Sequence, residues 1–464
     1  MQMFVQLMYT NCLAQAAYYI ESEGEAAIID PLRDPKPYMD LAKDRNATIK
    51  YVLETHFHAD FVSGHLDLAK ETGATIVFGP DAQPGYPAHI ATDGEQLKVG
   101  KVTLEVLHTP GHTIESACYL LRNEQGTPEA VFTGDTLFVG EVGRPDLMSG
   151  NLDKETLAGM LYDSLQRSIL TLPDDVIVYP GHGAGSACGK NIGKESQSTI
   201  GIQKLTNMPL RIQDRQQFIE TVTTGLPAAP QYFFTDAGIN RKGYDSYQEQ
   251  MEQCMRPISA EDCLNYIEHG AVVLDSRPAA TFSKGHISGA LNIGLSGDYA
   301  VWAGTLLGPD EELIVVAEAG KEQEAIERLA RIGYTNVKGY LPDNAAAWTA
   351  ANLPTDTIPV LDIATIAEPL MAGTYNLLDV RTRNEVAKCE LQGAMHIPLN
   401  ELMKQMDTML KNGLWVVCCA AGYRSMIAAS LMKRYGFHHV SSVNGGVNEI
   451  KTTMPELIHE PTTV

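Results

Sequence analysis

The second half of the sequence contains an internal repeat, and this repeat constrains the fold more than any single motif does. AVVLDSRPAATFSKGHISGALNI (271–293) aligns with NLLDVRTRNEVAKCELQGAMHIPL (376–399). Each copy has an apolar run, Asp-x-Arg, a helical stretch, and Gly-Ala before a second short strand. ELIVVAEAGKE (312–322) aligns in the same way with LWVVCCAAGYR (414–424). Strands that alternate with helices at this spacing predict two tandem α/β domains with parallel sheets.

The first part of the chain has a different pattern, in which short β-branched runs alternate with glycine-rich turns. The predicted strands that lead into polar loops are TIKYVLE (48–54), VTLEVLH (102–108), EAVFTG (129–134) and DVIVYPG (175–181). A chain of 464 residues is too long for a single core. We therefore predict three domains, at residues 1–250, 258–355 and 359–460.

Composition excludes several classes of function. A net charge of −22 disfavours nucleic acid as a partner. No stretch approaches the roughly 20 apolar residues that span a bilayer, and residues 1–20 look like strands rather than a signal peptide. The eight cysteines include no C-x-x-C pair, which argues against a zinc ribbon or a disulfide framework. We expect a cytoplasmic protein without nucleic-acid or membrane partners.

Histidine and aspartate residues follow the predicted strands of the first domain. They occur in THFHAD (55–60), TPGHT (109–113), TGDTLF (133–138) and PGHG (180–183). Loops at strand ends are where a rigid sheet places functional side chains, so this set predicts a metal site. Where the rhythm of the first motif usually continues with another histidine, the chain has Phe61, which cannot bind metal.

These motifs resemble the metallo-β-lactamase superfamily and, within it, the persulfide dioxygenases, a likeness that GRPDL (143–147) extends. The resemblance implies an αββα sandwich that holds one Fe(II) through His56, His112 and Asp135. Three protein ligands on one side leave room for a thiolate sulfur and O2.

Other polar residues near this predicted centre have more open roles. The resemblance makes His58 a neighbour that hydrogen-bonds bound oxygen or persulfide, with a fourth zinc ligand as the alternative. In dinuclear relatives, Asp60, His182 and a histidine at position 61 hold the second ion. The resemblance therefore implies that Phe61 cripples this second site and leaves one metal ion. Arg144 is a candidate for gripping a carboxylate or phosphate of the substrate, or for pairing with Asp146. Cys188 is a candidate sulfur relay or an inert small residue.

The third predicted domain carries a cysteine at the end of an apolar strand, in CCAAGYR (418–424). Loop amides and a helix that starts near Arg424 or Ser425 would stabilise a thiolate or persulfide there. The segment resembles the rhodanese active site. Aligning the two repeats places Cys418 at a strand end, so Cys419 is the predicted nucleophile and Arg424 its catalytic partner.

The same alignment indicates that the middle domain is inactive. Its loop, AEAGKE (317–322), has Ala317 in the place of the nucleophile and Glu322 in the place of the arginine. A loop without a thiol cannot carry a persulfide.

The whole pattern is therefore an α/β protein, an αββα metallo-β-lactamase-like domain followed by two tandem rhodanese-like domains. It resembles multidomain persulfide dioxygenase–sulfurtransferases that use O2 and exchange sulfur with thiosulfate or sulfite in sulfide detoxification. The substrate that this resemblance implies is a persulfide of a small thiol such as glutathione, coenzyme A or bacillithiol, and we expect a homo-oligomer. The alternative is a zinc-dependent thioester hydrolase of the glyoxalase II kind joined to a sulfurtransferase, whereas the intact ligands and Cys419 count against a purely regulatory module.

Overall fold

The computed structural model describes residues 3–147, 152–226 and 228–460. The chain forms two compact units, Met1–Gln250 with Ala330–Gly333, and Met251–Leu329 with Tyr334–Val464. Among the helices within the described ranges, none combines the length and apolar character needed to cross a bilayer.

The first unit is built on two six-stranded sheets. The first sheet follows chain order, with β1 (Phe4–Thr10), β2 (Gln15–Ser22), β3 (Glu25–Ile29), β4 (Thr48–Leu53), β5 (Thr75–Phe78) and β6 (His89–Ile90). The second sheet has the order β12-β11-β10-β9-β8-β7, with β7 (Gln96–Val99), β8 (Val102–His108), β9 (Ala117–Arg122), β10 (Pro128–Gly134), β11 (Ile177–Pro180) and β12 (Ser198–Thr199). Strands β3 to β6 pair in parallel, as do β10 and β11.

Alternating side chains join these sheets into a sandwich. Along β2, Ala16, Tyr18 and Ile20 belong to a core cluster shared with the second sheet, while Ala17 and Tyr19 belong to a cluster on the opposite face. This alternation is the period of two expected of a strand buried on both faces.

Helices cover both outer faces of the sandwich. The helices up to residue 254 are α1 (Lys36–Asp44), α2 (His65–Thr72), α3 (Lys154–Ser164), α4 (Ile200–Thr206), α5 (Arg215–Thr223), α6 (Tyr232–Lys242) and α7 (Tyr247–Cys254). Residues of α1 and α2 pack on the outer face of the first sheet, and residues of α3 and α5 on that of the second. The predicted αββα architecture is confirmed.

The second unit contains the two repeats, each built on a parallel sheet. The strands are β13 (Val272–Asp275), β14 (His286–Ile287), β15 (Leu291–Asn292), β16 (Leu313–Val316), β17 (Val337–Leu341), β18 (Thr355–Asp356), β19 (Val360–Leu361), β20 (Asn376–Asp379), β21 (Glu390–Leu391), β22 (Met395–His396), β23 (Leu414–Cys418), β24 (His439–Val443) and β25 (Ile458–His459). The sheet orders are β15-β13-β16-β17 and β19-β24-β23-β20-β22, and every pairing in them is parallel.

Crossover helices connect these strands, as the repeat predicts. They are α8 (Ala260–Glu268), α9 (Ala279–Phe282), α10 (Tyr299–Leu306), α11 (Glu322–Ala330), α12 (Ala346–Ala350), α13 (Ile363–Met371), α14 (Arg383–Lys388), α15 (Leu399–Gln405), α16 (Tyr423–Arg434) and α17 (Gly446–Thr453). Helix α16 begins at Tyr423 rather than at Arg424 or Ser425, because Gly422 adopts a left-handed conformation (φ 101°) that ends the loop one residue earlier.

Candidate functional site

Three buried side chains of the first unit converge at the carboxyl ends of strands. His56 follows β4, His112 follows β8 and Asp135 follows β10. Each offers one ligand atom, and these atoms all lie within 4.8 Å of one another. A cluster of two histidines and one aspartate with this spacing has the composition of a metal site.

Hydrogen bonds orient the two histidines so that one nitrogen of each stays available. His56 Nδ1 lies 3.0 Å from Thr55 Oγ1, and that hydroxyl donates to Asp30 Oδ2 at 2.8 Å. Because the Thr55 hydroxyl gives its only proton to Asp30, His56 Nδ1 must donate to Thr55 Oγ1. The lone pair of His56 is therefore on Nε2. His112 Nδ1 donates to the Arg144 carbonyl at 2.8 Å, which leaves its Nε2 facing Asp135 Oδ2 at 3.6 Å. Such outer hydrogen bonds typically orient metal-binding imidazoles.

The protonation states of the cluster also suit a cation. Burial and the neighbouring rings of His58 and His112 lower the pKa of His56 well below 6.5, so it is neutral. Burial would raise the pKa of Asp135, but its neighbour His182 outweighs this effect and the pKa falls below 3.8. Asp135 Oδ2 is buried and lacks a hydrogen-bond partner among the described residues. A neutral imidazole, a carboxylate and an orphaned oxygen together fit a bound metal ion.

Asp60 and His182 lie beside this cluster and bond to each other. His182 donates from Nδ1 to Asp135 Oδ1 and from Nε2 to Asp60 Oδ2, each at 2.7 Å. Burial opposes its charge, but the two carboxylates raise the pKa of His182 to about 10. Cys188 completes a second group of three potential ligands within 4.8 Å. Burial and the charges of Asp60 and Asp135 raise the pKa of Cys188 well above 9.0, so its thiol is protonated.

Phe61 and His58 occupy the space next to these groups. The Phe61 ring is fully buried and stacks on His58, with the ring centroids 4.3 Å apart. His58 Nε2 lies 3.0 Å from Asp30 Oδ1 and 3.4 Å from Glu54 Oε2. Burial disfavours its charge, but these carboxylates raise the pKa of His58 well above 6.5. The structure thus places His58 in a buried cluster with Asp30 and Glu54, beside the three candidate ligands.

Sequence reasoning missed Asp30 and Glu54, which form this cluster with His58. Both directly follow strands, β3 and β4, in the same manner as the predicted ligands. That position was the available signal, although a single carboxylate after a strand is a weak one.

Arg144 holds the segment that carries Cys188. Its guanidinium makes a two-pronged bond to Asp146, at 2.7 and 2.8 Å, and donates to the Ala187 carbonyl at 3.1 Å. Its backbone N–H donates to the Cys188 carbonyl at 3.2 Å. The pairing with Asp146 is the second of the two roles considered for Arg144. Because the Arg144 carbonyl also accepts from His112, this residue links a candidate ligand to the Cys188 loop.

Gly143 allows this close approach. A side-chain carbon there would lie 1.8 Å from the Asp135 carbonyl oxygen and 3.1 Å from His112 Nδ1. No larger residue fits at this position without moving the candidate ligands.

The second unit presents Cys419 in a loop between β23 and α16. Its sulfur accepts the Gly422 N–H at 3.1 Å and lies 3.6 Å from Ser425 Oγ. The amino end of α16 follows immediately, so amides and helix dipole favour negative charge on this sulfur. Cys418 is fully buried in the apolar core of the domain, as the repeat alignment predicts.

The Arg424 side chain is held in an ion pair with Glu385. Its two terminal nitrogens donate to both oxygens of Glu385, at 2.7 and 2.6 Å. Burial would raise the pKa of Glu385, but the bonds from Arg424 and Thr382 lower it to about 2. Glu385 was missed from the sequence, although its capping-box spacing after Thr382 was visible.

The middle domain lacks this arrangement but keeps a related framework. In both repeats the Asp-x-Arg motif forms a buried ion pair, Asp275 with Arg277 and Asp379 with Arg381. The buried Ala317 follows β16 where Cys419 follows β23.

Comparison with known proteins gives families for all three domains. Residues 10–182 match the metallo-beta-lactamase superfamily, and residues 259–351 and 362–453 each match the rhodanese-like domain. A probable hydroxyacylglutathione hydrolase from Schizosaccharomyces pombe is 34% identical over 38% of this chain and 66% of that protein. The chain spans 57% to 71% of the length of such curated relatives.

Two crystal structures are also similar. A metallo-beta-lactamase from Staphylococcus aureus subsp. aureus COL is 33% identical, with a TM-score of 0.66 and coverage of 74% of this chain and 99% of that one. ETHE1 from Myxococcus xanthus is 29% identical, with a TM-score of 0.45 and coverage of 52% of this chain and 98% of that one.

Proposed function

Because the chain belongs to the metallo-beta-lactamase superfamily and continues into two rhodanese-like domains, we propose that it is a persulfide dioxygenase joined to a sulfurtransferase. The first unit would convert a small-thiol persulfide, R-S-SH, with O2 and water into R-SH, sulfite and two protons. The thiol is of the glutathione, coenzyme A or bacillithiol kind, and the reaction serves sulfide detoxification.

One observation carries this proposal. His56, His112 and Asp135 offer three ligand atoms within 4.8 Å of one another, whereas the neighbouring position has Phe61, a buried ring, in place of a ligand. Both nitrogens of His182 are already bonded to carboxylates. A single three-ligand site leaves the open positions that oxygen chemistry requires, whereas two-metal hydrolysis needs a second ion.

Fe(II) held by the three ligands would supply the redox chemistry that combines O2 with the terminal sulfur. The chain's own residues prepare this site in three ways. Thr55 and Asp30 fix the ring of His56, and the Arg144 carbonyl fixes that of His112. The buried surroundings exclude bulk water from the cluster. Arg144 also holds Cys188 close to the cluster, where a protonated thiol can contact substrate sulfur.

The third domain would transfer sulfane sulfur through Cys419. Its thiolate attacks the outer sulfur of thiosulfate, the S–S bond breaks, and sulfite leaves as Cys419-S-S⁻ forms. The Gly422 amide and α16 stabilise the charged sulfur. In the reverse direction the persulfide passes its sulfur to sulfite. The middle domain, with Ala317 at the corresponding position, would not take part in this chemistry.

A zinc-dependent thioester hydrolase is the second candidate. It is favoured by the curated relatives, which are named hydroxyacylglutathione hydrolases. The Asp60, His182 and Cys188 group would then complete a second ion site.

Oxygen consumption tests the first activity. Anaerobically purified protein loaded with iron should consume O2 with glutathione persulfide and release sulfite. Thioester cleavage without persulfide-dependent oxygen uptake would instead establish the hydrolase.

A pair of adjacent cysteines offers a matched test of the sulfurtransferase. Cys419→Ser should abolish sulfur transfer from thiosulfate to cyanide, because it removes the nucleophile. Cys418→Ala removes a core sulfur instead, and should retain transfer with a modest loss of stability. Undiminished transfer by Cys419→Ser would refute the assignment.

A further inference from the structure

The loop that carries Cys419 is tied to the middle domain through one side chain. The Tyr423 hydroxyl donates to the Gly294 carbonyl at 2.9 Å. Its ring packs against Gly297, where an added side-chain carbon would lie 2.4 Å from the ring. Tyr423 is the residue between Gly422 and Arg424, so this contact reaches the catalytic loop itself.

Tyr423 contacts a segment of the middle domain, residues 292–298, which we call the ledge. Hydrogen bonds within the middle domain hold this segment in place. Asn292 donates from Nδ2 to the carbonyls of Asp275 and Arg277, both at 2.9 Å. These two residues form the buried ion pair of the middle domain's Asp-x-Arg motif. The middle domain, which has Ala317 at the position of Cys419, thus shares this ion-paired framework with its neighbour, and here the framework holds the ledge.

Two further contacts fix the ledge against its surroundings. Arg328 of α11 donates to the Leu295 carbonyl at 2.7 Å. The backbone N–H of Asn292 donates to Ser430 Oγ of α16 at 3.0 Å. The helix that starts at the catalytic loop is therefore held by the ledge at both its first turn and its middle.

We propose that the middle domain positions the catalytic loop of its neighbour, with Tyr423 as the positioning residue. This inference rests on the proposed sulfurtransfer by Cys419. Gly422 immediately precedes Tyr423, and its backbone N–H donates to the Cys419 sulfur. Gly422 has no side chain to restrict it and a φ of 101°, so the anchor on Tyr423 limits how this amide can turn. Tyr423 itself does not touch the transferred sulfur.

Full-length protein carrying Tyr423→Phe tests this role, since the substitution removes the hydroxyl and keeps the ring. We expect kcat for sulfur transfer from thiosulfate to cyanide to fall about 3- to 10-fold, with little change in the KM for thiosulfate. Reaction of Cys419 with iodoacetamide at a fixed pH should slow as well. Tyr435→Phe, an exposed tyrosine at the other end of α16, is the matched control and should leave all three values unchanged.

A second variant acts from the opposite side of the contact. Gly297→Ala presses on the ring and should lower kcat in the same way without altering any residue of the catalytic loop. Kinetic values for Tyr423→Phe equal to those of Tyr435→Phe would overturn the positioning role alone. Absence of Cys419-dependent transfer in the wild-type protein would overturn the proposed function, and this inference with it.

Discussion

Thr55 is not a candidate ligand itself, but it orients one of the candidate metal ligands, His56. Its hydroxyl lies between Asp30 and His56, and so it fixes which nitrogen of His56 carries the proton. Residue type and order predicted the candidate ligands, because histidine and aspartate side chains in loops after strands are common metal ligands. The pairing of Arg144 with Asp146 was one of the two roles that the sequence offered. The contact of His58 with Asp30 could not be predicted in the same way, since it joins segments that are distant in sequence.

We predict that Thr55→Val lowers affinity for the metal about 10- to 100-fold, as expected when a hydrogen bond that orients a ligand is lost. Competition with a chelator measures this affinity directly. Thr48→Val, an exposed position at the start of β4, the strand that precedes Thr55, is the control and should bind metal as the wild type does. Equal affinity in both variants would show that Asp30 and Thr55 do not support the site.

At the scale of elements, two helices meet at the Cys419 loop. Helix α16 begins there, and the first turn of α17 donates from the Val447 N–H to the Cys419 carbonyl at 2.8 Å. The repeat predicted the strand, the loop and the first helix. It did not predict the contribution of α17, because the approach of a helix lying beyond the aligned segments is set by tertiary packing.

Gly446 is what permits this approach, and Gly446→Ala should disrupt it. An added side-chain carbon would lie 2.3 Å from the Cys419 carbonyl, so we expect sulfur transfer to fall at least about 10-fold. The left-handed backbone (φ +60°) adds about 1 kcal/mol of strain. Gly436→Ala carries the same strain (φ +86°) in open surroundings, and should lose only that stability and keep its kcat. Equal activities would show that the contact with α17 is dispensable.

At the scale of the whole molecule, the chain joins a candidate metal centre to a candidate sulfur carrier. The sandwich and the tandem parallel sheets were predictable because the strand period and the internal repeat can both be recognised directly in the sequence. Which domains are active depends on a few side chains, and the number of bound metal ions depends on whether the vicinity of Phe61 admits a second one.

Metal quantitation on anaerobically purified, active protein tests the central claim most directly. One metal ion per chain, identified as iron and lost on His112→Ala, is the expected result, because Phe61 occupies the place of a ligand. Two metal ions per active chain would contradict it.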